Sequence, residues 1–288
     1  MTAVIELNNV SKQFKGFAIN DLNLTIEKGF VTGFVGANGA GKSTTIKMIM
    51  NLLQPDSGTV KLFGKSYQEA EREIKSQIGF VYDANIYYEK MNLKTIKSFV
   101  SGAYDTWDEQ TFEKYIDQFE LPMKKSMKHF SKGMQMKASL ALALAHDPKL
   151  LIMDEPTAGL DPVARRELLD LLQELMVDEN RSIFFSTHIT TDLERIADYI
   201  AFIDRGRLRF HQSIESLHEE YAIVKGDIAL LDADIRQLFT SVHEHAHGFE
   251  ALTAKRKEAE DVLNDHVLIE NASLEDILYY SKGGVTHA

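Results

Sequence analysis

Leu22, Leu24 and Ile26 alternate with polar residues in the segment INDLNLTIE, residues 19–27. A period of two predicts a half-buried antiparallel strand, and VIELNNV at 4–10 predicts a first strand ahead of it. The pattern then becomes continuous. FVTGFV at 30–35 has the apolar density of a strand covered on both faces. Beyond a glycine-rich break, KSTTIKMIMNLL places Ile46, Ile49, Met50 and Leu53 at helical spacing. PDSG at 55–58 follows as a turn.

From about residue 67 to 128 the reading is mostly helical, with a short strand IGFVY inside it. SKGMQMKASLALALAH predicts a helix stopped by Asp147 and Pro148. A buried strand KLLIM, a helix VARRELLDLLQELM, a strand SIFFST, a helix TTDLERIA and a strand YIAFID come next. Strand and helix in alternation predict an α/β fold whose sheet is mainly parallel and whose helices are the crossovers. Past DRGRLRF the periodicity weakens. Residues 212–288 read as a small α+β appendage with short strands and one helix near 273–280, which leaves 1–211 as the main domain.

Composition narrows the possibilities. With 44% hydrophobic and 26% charged residues the chain can bury a substantial core. A net charge of -11 argues against a nucleic-acid partner, which calls for a basic face. The clusters Lys124, Lys125, Lys128 and Lys255, Arg256, Lys257 read as solvated helix faces. The absence of cysteine excludes disulfides, thiolate metal sites and cysteine nucleophiles. No apolar run reaches the roughly 18–20 residues that cross a bilayer, and the N-terminus lacks the apolar stretch of a signal peptide. The expected location is therefore cytoplasmic, with any membrane role exercised through a partner.

The glycine-rich break carries the first chemistry. GANGAGKSTT, residues 36–45, matches G-x-x-x-x-G-K-[ST] with Gly36, Gly41, Lys42 and Ser43 in register. A glycine-rich turn lets successive backbone N–H groups face inward around a phosphate, and the following helix adds its free N–H groups and positive end. Ala37, Asn38, Gly39 and Ala40 complete the loop and Thr44 follows it. Lys42 is placed to reach the β- and γ-phosphates and Ser43 to offer a hydroxyl to Mg²⁺. A second segment, LLIMDEP, ends a buried strand in two acids, Asp154 and Glu155, at the end where parallel sheets bind ligands. Asp154 is expected to hold Mg²⁺, and Glu155 to polarise an attacking water.

In this order the segments resemble the nucleotide-binding subunit of an ABC transporter, over about residues 4–210. FSKGMQMK resembles the family signature, TAGLDP at 157–162 resembles its D-loop, and STHIT places His188 as the switch histidine. Phe14, in SKQFKG, stands where the family has an aromatic that stacks on adenine; Phe17 is its rival. The resemblance implies a P-loop NTPase fold with an antiparallel N-terminal β subdomain and a helical signature subdomain at about 84–146. It implies an ATPase using ATP and Mg²⁺, with catalysis by Glu155 and His188. Ser131 and Gly133 would bind the γ-phosphate held by a second ATP-binding subunit, so that the enzyme works as a dimer, identical or not. Its other partner would be a transmembrane permease, to which it is peripheral at the cytoplasmic face of the membrane. Subunits of this shape resemble those of small Gram-positive exporters, which points to a peptide or antimicrobial cargo. The alternatives are an ABC ATPase that remodels a soluble complex and a regulator that binds ATP without turnover.

Two departures stand out. The usual signature L-S-G-G-Q is here FSKGM, with Lys132 and Met134 at the changed positions; Lys132 would either add a phosphate contact or face solvent. Asp83 stands where the family has a glutamine or glutamate that senses the metal, and that role is expected of Asp83. Ile86, Tyr87, Tyr88 and Met91 form either a docking groove for the membrane subunit or core of the helical subdomain. HEHAH at 243–247 would align imidazoles if it were a strand; it reads instead as an exposed surface loop.

Overall fold

Residues 2–82, 90–263 and 266–281 are described by the structure, a computed structural model. Asp83, Ile86, Tyr87 and Tyr88 lie outside them. The chain begins with β1 (Ala3–Phe14) and β2 (Phe17–Glu27), an antiparallel hairpin. β1 runs further than its apolar stretch because a register shift between Leu7 and Val10, where Asn9 takes φ 51, carries the polar residues on into the ladder. β3 (Val31–Val35) and α1 (Lys42–Ile49) follow, and β4 (Ser57–Leu62) returns to pair with β1, giving a three-stranded sheet of order β2-β1-β4.

The helical part comprises α2 (Tyr67–Ser76), α3 (Leu93–Ser101), α4 (Glu109–Gln118) and α5 (Lys132–Leu144), with β5 (Ile78–Val81) inside it. Caps fix the starts: Asn92 accepts from the Thr95 N–H, Asp108 from Gln110 and Ser131 from Met134. α5 is buried from Leu140 through Leu144, so its apolar run is a core helix that packs on β5. β6 (Leu150–Asp154), α6 (Pro162–Leu175), β7 (Ser182–Thr187), α7 (Thr190–Ile196), β8 (Tyr199–Asp204) and β9 (Arg207–Ser213) complete the central sheet. Its order is β5-β6-β7-β3-β8-β9, parallel except for the antiparallel edge strand β9. Every residue of β3, β6 and β7 is buried, as continuous apolar runs predict. Gly33 lets α7 come close: a Cβ there would lie 2.1 Å from Leu193 Cδ2. The α/β expectation holds.

The C-terminal part contains α8 (Ile214–Glu220), β10 (Ala222–Gly226), α9 (Ala233–Arg236), β11 (Ser241–His245), β12 (Gly248–Thr253), α10 (Arg256–Leu263), β13 (Val267–Asn271) and α11 (Leu274–Ser281). Its antiparallel sheet has the order β11-β12-β10-β13. The single helix expected near 273–280 is α11, but α8, α9 and α10 join it. The charged run 255–258 hid α10, whose buried Ala259 and Leu263 are only one turn apart. HEHAH is a loop only in part: Ala246 and His247 form the exposed turn after β11. His243 and His245 belong to β11, held by pairing with β12, and the His243 ring packs edge-on to Tyr280 at 5.0 Å. One face of this sheet builds its own core from Val224, Phe249, Ala251, Ala259 and Leu263. From the other face Ile223 and Leu252 join α11 and the main core, and the Leu274 N–H donates to Glu194 of α7 at 2.8 Å.

Candidate active site

Two of the glycines in the 36–41 loop are there for space and backbone shape. A Cβ at Gly36 would lie 2.4 Å from the Ile203 carbonyl oxygen, so the loop leaves β3 tight against β8. Gly41 has φ 116, and a Cβ would strike Ile19 Cδ1 at 2.4 Å and Phe17 Cζ at 3.1 Å. With the turn closed by the Ala40 N–H on Ala37 O, α1 starts at Lys42 and its N-terminus faces the cleft. A loop of this form followed by a helix is an anion cradle.

The Lys42 side chain is 5% exposed and folds back over the loop. Its Nζ donates to Gly36 O at 2.8 Å and Ala37 O at 3.3 Å, and pairs with Glu155 Oε1 at 3.0 Å. The other Glu155 oxygen lies 2.8 Å from His188 Nδ1. Lys42, Glu155 and His188 thus form one chain of contacts, graded from buried to open: Glu155 is 13% exposed and His188 44%. Next to it, Ser43 Oγ donates to Asp154 Oδ1 at 3.2 Å, so the last residue of β6 and the acid that follows it diverge, one to each residue of the Lys42–Ser43 pair. Lys42, Ser43, Glu155 and His188 converge on a cleft of about 710 Å³ lined also by Asn38, Gly39, Thr44 and Phe17, with Asp154 buried behind Ser43. Phe14, 38% exposed, stacks on the Phe17 ring at 6.2 Å. Phe17 therefore forms the wall, with Phe14 packed against it.

The turn at Glu155 is strained. Its φ of 49 is left-handed, a conformation disfavoured for a residue with a Cβ. Ser186, on β7, holds it there. The Glu155 N–H donates to Ser186 O at 3.1 Å and to Ser186 Oγ at 3.0 Å, while Ser186 Oγ donates to Asp154 Oδ1 at 2.6 Å. One hydroxyl therefore sets both acids. Sequence reading missed it; its only trace was a polar residue inside the apolar run SIFFST. Ser186→Ala leaves the buried Asp154 carboxylate one donor short. The expected result is a loss of about 1–3 kcal/mol in stability, read as a lower urea midpoint.

Ser131 and Gly133 do not line this cleft. They stand at the start of α5, where Ser131 caps the helix and a Cβ at Gly133 would sit 3.3 Å from the Ala164 Cβ of α6. Lys132 lies across the 157–161 turn, its Nζ 3.0 Å from where a Cβ of Gly159 would be. The start of α5 thus borders the 157–161 turn, whose Ala158 lines the Lys42 cleft, while Ser131, Lys132 and Gly133 stay outside it.

A family model described as ABC transporter matches residues 19–158. The bacitracin transport ATP-binding protein of Enterococcus faecalis is 33% identical over 240 residues, covering 80% of this chain and 77% of that protein. The protein of the same description from Bacillus licheniformis is 33% identical over 217 residues, 72% of this chain and 69% of that one. Among solved structures, the ATP-binding subunit of an ABC transporter has a TM-score of 0.68 at 28% identity, covering 75% of this chain and 92% of that chain. A dimeric ATP-binding cassette bound to ADP and Pi shares the fold, with a TM-score of 0.65 at 21% identity over 73% of this chain and 98% of that one.

Proposed function

The chain belongs to the ABC transporter family as one of its ATP-binding, ATP-hydrolysing subunits, and from that premise we propose that it drives export through a separate membrane permease from the cytoplasmic face. Residues 1–211 are the ATPase domain, with a helical subdomain at about 84–146, and 212–288 an accessory region. The likeness to two bacitracin transport proteins supports a peptide or antimicrobial cargo.

The observation that carries the chemistry is the Lys42–Glu155–His188 chain at the mouth of the loop. The backbone of 36–44 wraps the phosphates of ATP, and Lys42 exchanges its Glu155 contact for a phosphate oxygen. Glu155 is then free to take the proton of an attacking water, held in orientation by His188. Ser43 and Asp154 offer the hard oxygen donors that would hold Mg²⁺, and the bound ion would supply neutralisation of the negative charge of the phosphates. Asp83 takes the metal-sensing role. Phe17 with Phe14 behind it provides an aromatic platform for adenine. Ser131 and Gly133, away from this cleft, serve the γ-phosphate bound by a second subunit, where a capped helix start favours an anion.

Affinity capture of the tagged chain from detergent-solubilised membranes tests the transport reading. A polytopic membrane protein recovered in stoichiometric amount is expected. Capture of a soluble complex alone would support remodelling instead and overturn it.

A further inference from the structure

Arg165 lies one turn into α6 and reaches across to the first turn of α7. Its Nε donates to Asp192 Oδ1 at 2.6 Å and one terminal nitrogen donates to Thr191 Oγ1 at 2.9 Å. Thr191 and Asp192 follow His188 by three and four residues, through the short loop that leaves β7. The Asp192 side chain is 1% exposed, and its second oxygen has no hydrogen-bond partner among the described residues. A buried carboxylate held by a single cation depends on that cation, because removing the partner leaves an uncompensated charge in a low-dielectric place.

We propose that Arg165 is a positioning residue for hydrolysis, fixing the switch loop so that His188 stays on Glu155. The proposal rests on the catalytic reading of His188. The lower side of α7 is locked already: Leu193 occupies the space left by Gly33, and the Leu274 N–H binds Glu194. Arg165 supplies the anchor on the α6 side, at the end of the helix pair nearest the chemistry. The far end of the same pair is joined by the exposed Asp170–Arg195 contact and by Gln173 Nε2 donating to Arg195 O at 3.0 Å. Without the guanidinium, Asp192 must move toward water and carry the preceding loop with it. A displacement of about 1 Å at a reacting group lowers rates by on the order of 10²-fold.

The test is a cycle of phosphate-release rates on the full chain: wild type, Arg165→Ala, His188→Ala and the double variant. Arg165→Ala is expected to lower kcat about tenfold or more with KM for ATP within about twofold, and to cost nothing further in the His188→Ala background. Arg165→Lys, which keeps one charged contact, should recover part of the rate. Asp192→Asn gives a second route to the same loss, and Asp170→Asn, at the exposed end, should leave kcat within about twofold. Thermal unfolding checks that each variant is folded. If Arg165→Ala lowers kcat by the same factor with and without His188, or if Asp170→Asn matches it, Arg165 is merely helix packing and the proposal fails. An undiminished rate in His188→Ala alone would be a different failure, removing the role of His188 and the proposal with it.

Discussion

Glu155→Gln is expected to lower kcat by about 10²–10⁴-fold while ATP binding changes by no more than a few-fold. Glutamine keeps the shape of the side chain and can still accept from His188, but it cannot take a proton from water. Asp154 cannot replace it, because that carboxylate is buried and takes hydrogen bonds from Ser43 and Ser186. Steady-state phosphate release, together with equilibrium binding of a fluorescent ATP analogue, separates the two quantities. A kcat within a few-fold of wild type would remove Glu155 from the base position.

Lys42→Ala is expected to fail at the earlier step. The ammonium holds two loop carbonyls and one oxygen of Glu155 in a place that is almost wholly buried. Its loss removes the charge-assisted contact to the phosphates, worth about 1.5–3 kcal/mol, or roughly 10–100-fold in Kd for ATP. It also leaves Glu155 without its cation. Lys42→Arg is no remedy, since the broad, planar guanidinium does not fit a pocket that closes on a point charge. Titration with ATP by calorimetry reads the change directly, and an unaltered Kd would show that the loop grips phosphate without Lys42.

Much of this site was legible because its parts are local. FVTGFV, the glycines and Lys42–Ser43 fall within fourteen consecutive residues, and each step (strand, turn, helix start) has its own residue signature. LLIMDEP was legible for the same reason. Ser186 was not, because a serine in a buried strand says nothing about which strand lies beside it; only the β6–β7 pairing brings it opposite Asp154. The left-handed turn at Glu155 was hidden too, since nothing in DEP marks it. Phe14 and Phe17 both fitted an aromatic near adenine; the two pair directly across the hairpin, and only the lining of the cleft shows that Phe17 is the one that reaches it. α10 escaped because its short, charged segment hides an apolar pair, Ala259 and Leu263, one turn apart. The docking of α11 on α7 joins residues eighty positions apart, which no local pattern records.

In the proposed dimer the site is shared: the Lys42 cleft lies on one part of the chain, and Ser131 and Gly133 on another. The most direct test of that sharing is the solution mass of Glu155→Gln by light scattering, with Mg-ATP and then with Mg-ADP. The predicted result is about twice the subunit mass with ATP and a return to the single subunit with ADP, the ATP-bound pair being lost when Ser131 is changed to a bulky residue. A single subunit in both nucleotides, with ATP shown to be bound, would contradict it.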